Sequence, residues 1–169
     1  MTMKQATQVG FIDLLYAMLL GVVVQRLEFA WSVDTMFRVL SVAVLLEDYL
    51  AYHFSTTIAP GTGRNYEIRL FVLDIAILLS WYFATMAIPG HYRWYLLGSA
   101  FFFATKTIWE HVAYGTRGLR LFTSSHAGLC LLYVVLGVLQ PAIGPWLAAW
   151  IAFAGWAAFT PWWWLRRSK

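Results

Sequence analysis

Long apolar runs alternate with short polar breaks along the 169 residues of this chain. A helix that crosses a bilayer needs about 17–25 mostly apolar residues. Six segments meet that need: 8–26, 34–54, 67–88, 92–114, 121–140 and 142–164. The breaks carry residues at which helices stop: "APGTGRN" after the second segment, "IPGHY" after the third, "YGTRG" after the fourth and "QPAIGP" after the fifth. The last break is tight, so the fifth and sixth segments are expected to form a helical hairpin. The pattern predicts an all-α membrane protein with six transmembrane helices in a single domain, 1–169.

Composition sharpens that reading. The chain is 61% hydrophobic and 12% charged, whereas soluble domains carry roughly 25% charged residues. Ten Trp, nine Tyr and twelve Phe suit a protein whose aromatic rings sit at membrane interfaces. The longest polar stretch, "STTIAPGTGRNYE", is a loop and leaves no room for a separate soluble domain. The start, "MTMKQATQVGF", holds one Lys, and no small-residue cleavage site follows the first apolar run. That run is expected to be a retained helix. The single Cys130 lies in an apolar run and has no partner for an intrachain disulfide.

The net charge of +4 resides in ends and loops, where it bears on orientation and gives no reason to expect nucleic acid as a partner. With the N-terminus inside, the cytoplasmic side holds Lys4, Arg64, Arg69, Arg117, Arg120, Arg166, Arg167 and Lys169, against Arg26, Arg38 and Arg93 on the other. Both termini are therefore expected to be cytoplasmic. The tail "TPWWWLRRSK" agrees, since aromatic residues followed at once by positive charge mark a helix leaving the membrane on that side.

The segment "VAVLLEDYLAYHF" places Glu47 and Asp48 side by side in an apolar run, with His53 just beyond. With the topology above, Asp13, Asp48, Asp74, Lys106, Glu110 and His126 all fall roughly 6–12 Å from the cytoplasmic ends of their helices. Each charge within a membrane costs about 2.5–3.5 kcal/mol on insertion scales. The group is therefore expected to face inward as one acidic layer contributed by five helices. Helical spacing puts Lys106 and Glu110 one turn apart, the expected structural ion pair. Glu47 points about 100° away from Asp48 on an α-helix and is expected to meet a different neighbour, in this chain or in another subunit. His53 is expected to be a bystander at the interface. His111 and His126 are possible metal or haem ligands, but no HxxxH spacing supports ligation, and no cofactor is expected. In the sixth segment Gly144, Ala148, Ala152 and Gly155 form a small-residue stripe, fit for close packing in the bundle or for subunit association.

The first segment, "VGFIDLLYAMLLGVVV", resembles the start of the transmembrane protein 175 potassium-channel family, whose signature would map to Phe11, Ile12 and Asp13. That resemblance implies a pore-lining first helix in a homotetramer, with a hydrophobic gate at Met18 and Val22. The sequence departs from the family at Thr7, where an Arg is usual, at Ile12, where the family has a small residue, and in the second helix, which reads "LLEDYLAYHF". Residues 8–90 also resemble the beginning of low-temperature-requirement A membrane proteins, with "FIDLLYAMLLGVVVQRLEF" followed by "EDYLAYHFSTTIAPGTGRNYEIRLFVLDIAILLSWYFATMAIP".

Function follows from the layer. The leading expectation is an oligomeric cation channel or transporter, for protons or a monovalent metal ion, in a bacterial inner membrane. Asp13, Asp48 and Asp74 would form the ion pathway, with Glu47 and Glu110 beside them. The alternative is an accessory or scaffold subunit of a larger membrane complex, in which the same layer is interhelical glue. The lipid bilayer is the expected partner, together with further copies of the chain or partner membrane subunits. A membrane enzyme is the weaker reading, because no Walker A, dinucleotide fingerprint, HExxH or nucleophile elbow occurs.

Overall fold

The computed structural model describes residues 3–28, 30–57, 68–114 and 123–167, and these form an all-α protein. Its helices are α1 (Met3–Gln25), α2 (Val33–Thr57), α3 (Ile68–Met86), α4 (Tyr92–Tyr114), α5 (Thr123–Ile143) and α6 (Pro145–Arg167). All six expected segments are helical, each within a few residues of the limits read from the sequence. The loop "APGTGRN" and all of "YGTRG" after Tyr114 lie outside the described residues, and so do Arg64, Arg117, Arg120 and Lys169. The side chains of Lys4, His53, Arg166 and Arg167 also lie outside the description.

Among the described residues, three stretches are long and apolar enough to cross a membrane: Gln8–Gln25, Ile68–Met86 and Ser125–Ile143, which belong to α1, α3 and α5. In α6 a shorter apolar run covers Pro145–Thr160. Both α2 and α4 carry more charge than these three stretches. The first carries Asp34, Arg38, Glu47 and Asp48, and the second Arg93, Lys106 and Glu110.

Local chemistry sets the helix ends. Ser32 caps α2, its Oγ accepting the Thr35 N–H at 3.1 Å, and Asp34 follows in the first turn, where the helix dipole favours negative charge. The Arg38 guanidinium donates to the Arg26 carbonyl just past α1, so a cation satisfies the end of that helix. The hairpin between α5 and α6 turns on a single residue. Pro141 does not end α5, as "QPAIGP" suggested. The helix runs on through it, because the fixed φ of proline is itself helical, and stops at Gly144, whose φ of +79° suits a residue without Cβ. Pro145 then occupies the first position of α6, where its missing N–H costs no helical bond.

The helices close into a ring in the order α1–α3–α4–α5–α6–α2 and back to α1. Two neighbouring pairs run parallel. Phe11 meets Phe71 near the start of α1 and α3, and Arg26 Nη1 lies 3.1 Å from Met86 Sδ at their ends. Trp31, just ahead of α2, stacks on Trp146 at the start of α6, and Glu47 faces Trp156 further along both helices. The other neighbours are antiparallel. Aromatic rings fill the interior: Phe37 against Tyr95 at 4.8 Å, Trp81 against Phe102 at 4.9 Å and Phe103 against Tyr133 at 5.2 Å. Offset and edge-on contacts of this kind contribute about 0.5–1.5 kcal/mol each beyond burial.

Four buried serine and threonine hydroxyls are satisfied within their own helices. Ser41, Ser80, Ser99 and Thr105 each donate to the carbonyl four residues earlier, which removes the cost of an unpaired donor in an apolar setting. The small-residue stripe of α6 is used inside the bundle: Ala148 and Ala152 are buried, and the Ala152 carbonyl accepts a hydrogen bond from Tyr133 of α5 at 3.3 Å. Gly144 does not share that role, since it forms the turn.

Candidate functional site

A buried polar network occupies the half of the ring nearest the starts of α1, α3 and α5. Its centre is Asp48 on α2, 3% exposed. Asp48 Oδ1 accepts a hydrogen bond from the Lys106 ammonium of α4, and Oδ2 accepts one from the Tyr16 hydroxyl of α1 at 2.5 Å. Lys106 is itself 5% exposed, and its Nζ lies 5.1 Å from the centroid of the Trp109 ring, within cation–π range. The ammonium therefore sits between a carboxylate and an aromatic face.

A second pair lies one turn further along α4. Glu110 Oε1 is 3.0 Å from His126 Nδ1 of α5, both residues buried. The imidazole stacks on Phe103, with ring planes 20° apart. Glu110 Oε2 is buried with no hydrogen-bond partner among the described residues.

Two further acids lie within electrostatic reach. Asp74 of α3 is buried and acts on both Tyr16 and Lys106. Glu47 of α2 is partly buried and faces His126, Lys106 and Trp156. The network thus draws on Tyr16, Glu47, Asp48, Asp74, Lys106, Glu110 and His126, from five of the six helices. It holds four carboxylates against one lysine and one histidine. In a water-poor interior that imbalance is costly unless protons or cations offset it.

Several expectations change at this level of detail. The ion pair expected between Lys106 and Glu110 is not the one formed. Lys106 reaches across the ring to Asp48, while Glu110 remains in its field and takes His126 instead. A one-turn spacing along a helix only permits a contact, and a carboxylate from another helix offered the better seat. Asp48 is accordingly a partnered residue. Glu47 meets its neighbours on α5 and α6 of the same chain and needs no second subunit to do so. Asp13 lies one turn before Tyr16, partly buried and with a partner of its own. His111 is exposed, away from His126. Among the described residues no group of three or more His, Cys, Asp or Glu is placed to hold a metal ion.

The expected gate residues stand apart from this network. Met18 is 61% exposed and faces out of the ring. Val22 borders a small crevice with Arg26, Arg38, Thr85 and Met86 at the far end of the bundle. A constriction built on these two residues would require copies of the chain to meet along α1.

Tyr16 is the participant that sequence reasoning missed. Its signal was its position: three residues after Asp13, on the same face of α1, in an otherwise apolar run.

Comparisons with protein-family models, with curated proteins and with solved structures gave no match.

Proposed function

We propose that the chain is a six-helix integral membrane protein, with both termini cytoplasmic, that moves protons through its buried polar network. The observation that carries this reading is the unequal charge of the network: four carboxylates and two basic groups, linked across five helices. A layer serving only to hold helices together gains most from matched charges, because each uncompensated charge is expensive to bury. Spare carboxylates in a membrane interior are instead the composition of a proton relay. The short contacts within Tyr16–Asp48–Lys106 and within Glu110–His126 suit proton exchange between neighbouring groups better than passage of a hydrated metal ion.

The outward faces support a spanning role for α2 and α4 as well. Val39, Leu46 and Leu50 on α2, and Phe101, Ile108 and Val112 on α4, are exposed and apolar, while the charged residues of the network face inward. The network charge on those two helices is thus kept off the lipid side. The Lys and Arg bias toward the loops on the N-terminal side supports the orientation.

A second reading, a scaffold subunit, draws on the same contacts. The Asp48–Lys106 and Glu110–His126 pairs each tie two helices together. Ion movement separates the two. Purified protein in sealed liposomes, exposed in turn to gradients of H⁺, Na⁺ and K⁺, is expected to dissipate the proton gradient alone. Movement of a metal ion, or of none, contradicts the proton reading.

A further inference from the structure

Lys106 holds an unusual place in this network. Its ammonium lies inside a ring of helices, hydrogen-bonded to a carboxylate that is itself fixed by Tyr16, with an aromatic face on the other side and two further carboxylates, Asp74 and Glu110, in range. This is the environment in which a desolvated monovalent cation would rest: one close carboxylate, one π face and a surplus of negative charge beyond. An ammonium group is also close to a potassium ion in size. We propose that the Lys106 ammonium is a tethered cation occupying a potassium-sized seat, and that it sets the network's selectivity for protons by denying that seat to metal ions.

The inference rests on the layer described under Proposed function and adds the residue that decides which cation the layer accepts. A tethered ammonium can release a proton, and the amine it leaves can take one back, but the group cannot leave, so exchange at the seat is confined to protons. Shortening Lys106 to alanine vacates the seat while leaving Asp48, Tyr16 and Trp109 around it. The bare Asp48 carboxylate then draws a free cation of similar size from solution. Binding to the folded state raises the melting temperature, the stabilisation growing with the logarithm of cation concentration above its Kd, so the effect can be read without any transport assay.

The experiment compares melting of detergent-purified wild type, Lys106→Ala, Lys106→Gln and the double variant Lys106→Ala/Asp48→Asn. Each is titrated with ammonium, potassium or sodium chloride against N-methyl-D-glucamine chloride at equal ionic strength. Lys106→Ala is expected to melt below wild type and to recover by roughly 2–4 °C in ammonium and in potassium, less in sodium and not in N-methyl-D-glucamine. Wild type and the double variant should show no such preference. Lys106→Gln fills part of the seat with a neutral amide, so a weaker response in the same order is expected. If Lys106→Ala folds only when purified in ammonium or potassium, that dependence is the same result. Equal responses to all four cations, or an undiminished response in the double variant, overturn the proposal. The readout is independent of proton movement: potassium binding by Lys106→Ala in a protein that moves no protons would leave this inference standing and the transport reading refuted, and the converse would do the reverse.

Discussion

At Asp48 one carboxylate receives the Lys106 ammonium on one oxygen and the Tyr16 hydroxyl on the other, so three helices meet at two atoms. Removing a single partner from such a buried pair strands the other charge, at a cost of about 3–5 kcal/mol. Asp48→Ala should therefore lower stability by about that amount in detergent unfolding. Tyr16→Phe removes one hydrogen bond to a charged group and should cost about 1.5–3 kcal/mol. Replacing both charged partners, Asp48→Leu with Lys106→Met, should cost clearly less than Asp48→Ala alone. A double variant as unstable as the single would mean that the two residues are not coupled through this pair. The burial of these charges was legible in the sequence, because Asp48, Asp74 and Lys106 interrupt runs too apolar to tolerate them on a lipid face. Their pairing was not. Asp48 and Lys106 stand 58 positions apart, and only the packing of the ring brings them together, whereas the spacing of Lys106 and Glu110 offered a nearer partner that the fold did not use.

Helix against helix, the approach of α3 and α4 is the closest to a fixed requirement. A Cβ placed on Gly98 would lie 2.9 Å from Ala84 Cβ and 3.1 Å from its Cα, and neither atom can move without moving α3. Gly98→Leu should thus force the two helices apart and lower stability by about 1–3 kcal/mol, the usual range for overpacking. Gly155 offers a contrast. A Cβ there would overlap the Cδ2 tip of Leu132 and touch its Cγ at 3.7 Å; the tip belongs to a flexible, partly buried side chain that can rotate away, so Gly155→Ala should melt close to wild type. Equal losses for the two substitutions would contradict this account of the interfaces. The helix limits themselves were largely readable, since Gly and Pro punctuate the apolar runs. The exception was Pro141. Its sequence neighbourhood resembles a break, but a proline near the end of a helix leaves the last turn free to continue to Gly144.

Across the whole molecule the ring order, with its parallel pairs α1–α3 and α2–α6, was not legible in the sequence. Alternating helices joined by loops can be arranged around an interior in many ways, and the choice depends on which faces fit. A cross-link tests the order directly. In a Cys130→Ser background, Trp31→Cys with Trp146→Cys should be joined within one chain by a short bis-maleimide, because the two native rings stack at 6.0 Å. Trp31→Cys with Phe101→Cys should not. Cross-linking only between chains would contradict the closed ring.

The central claim is that protons cross the membrane through the acid-rich network enclosed by that ring. Its most direct test is the rate of proton entry into liposomes containing wild type, Asp48→Asn or Asp74→Asn, with the variants first shown to melt cooperatively. Wild type should dissipate an imposed proton gradient, and each variant should lose most of that flux. Folded variants that pass protons at the wild-type rate would contradict the claim and leave the network a means of holding five helices together.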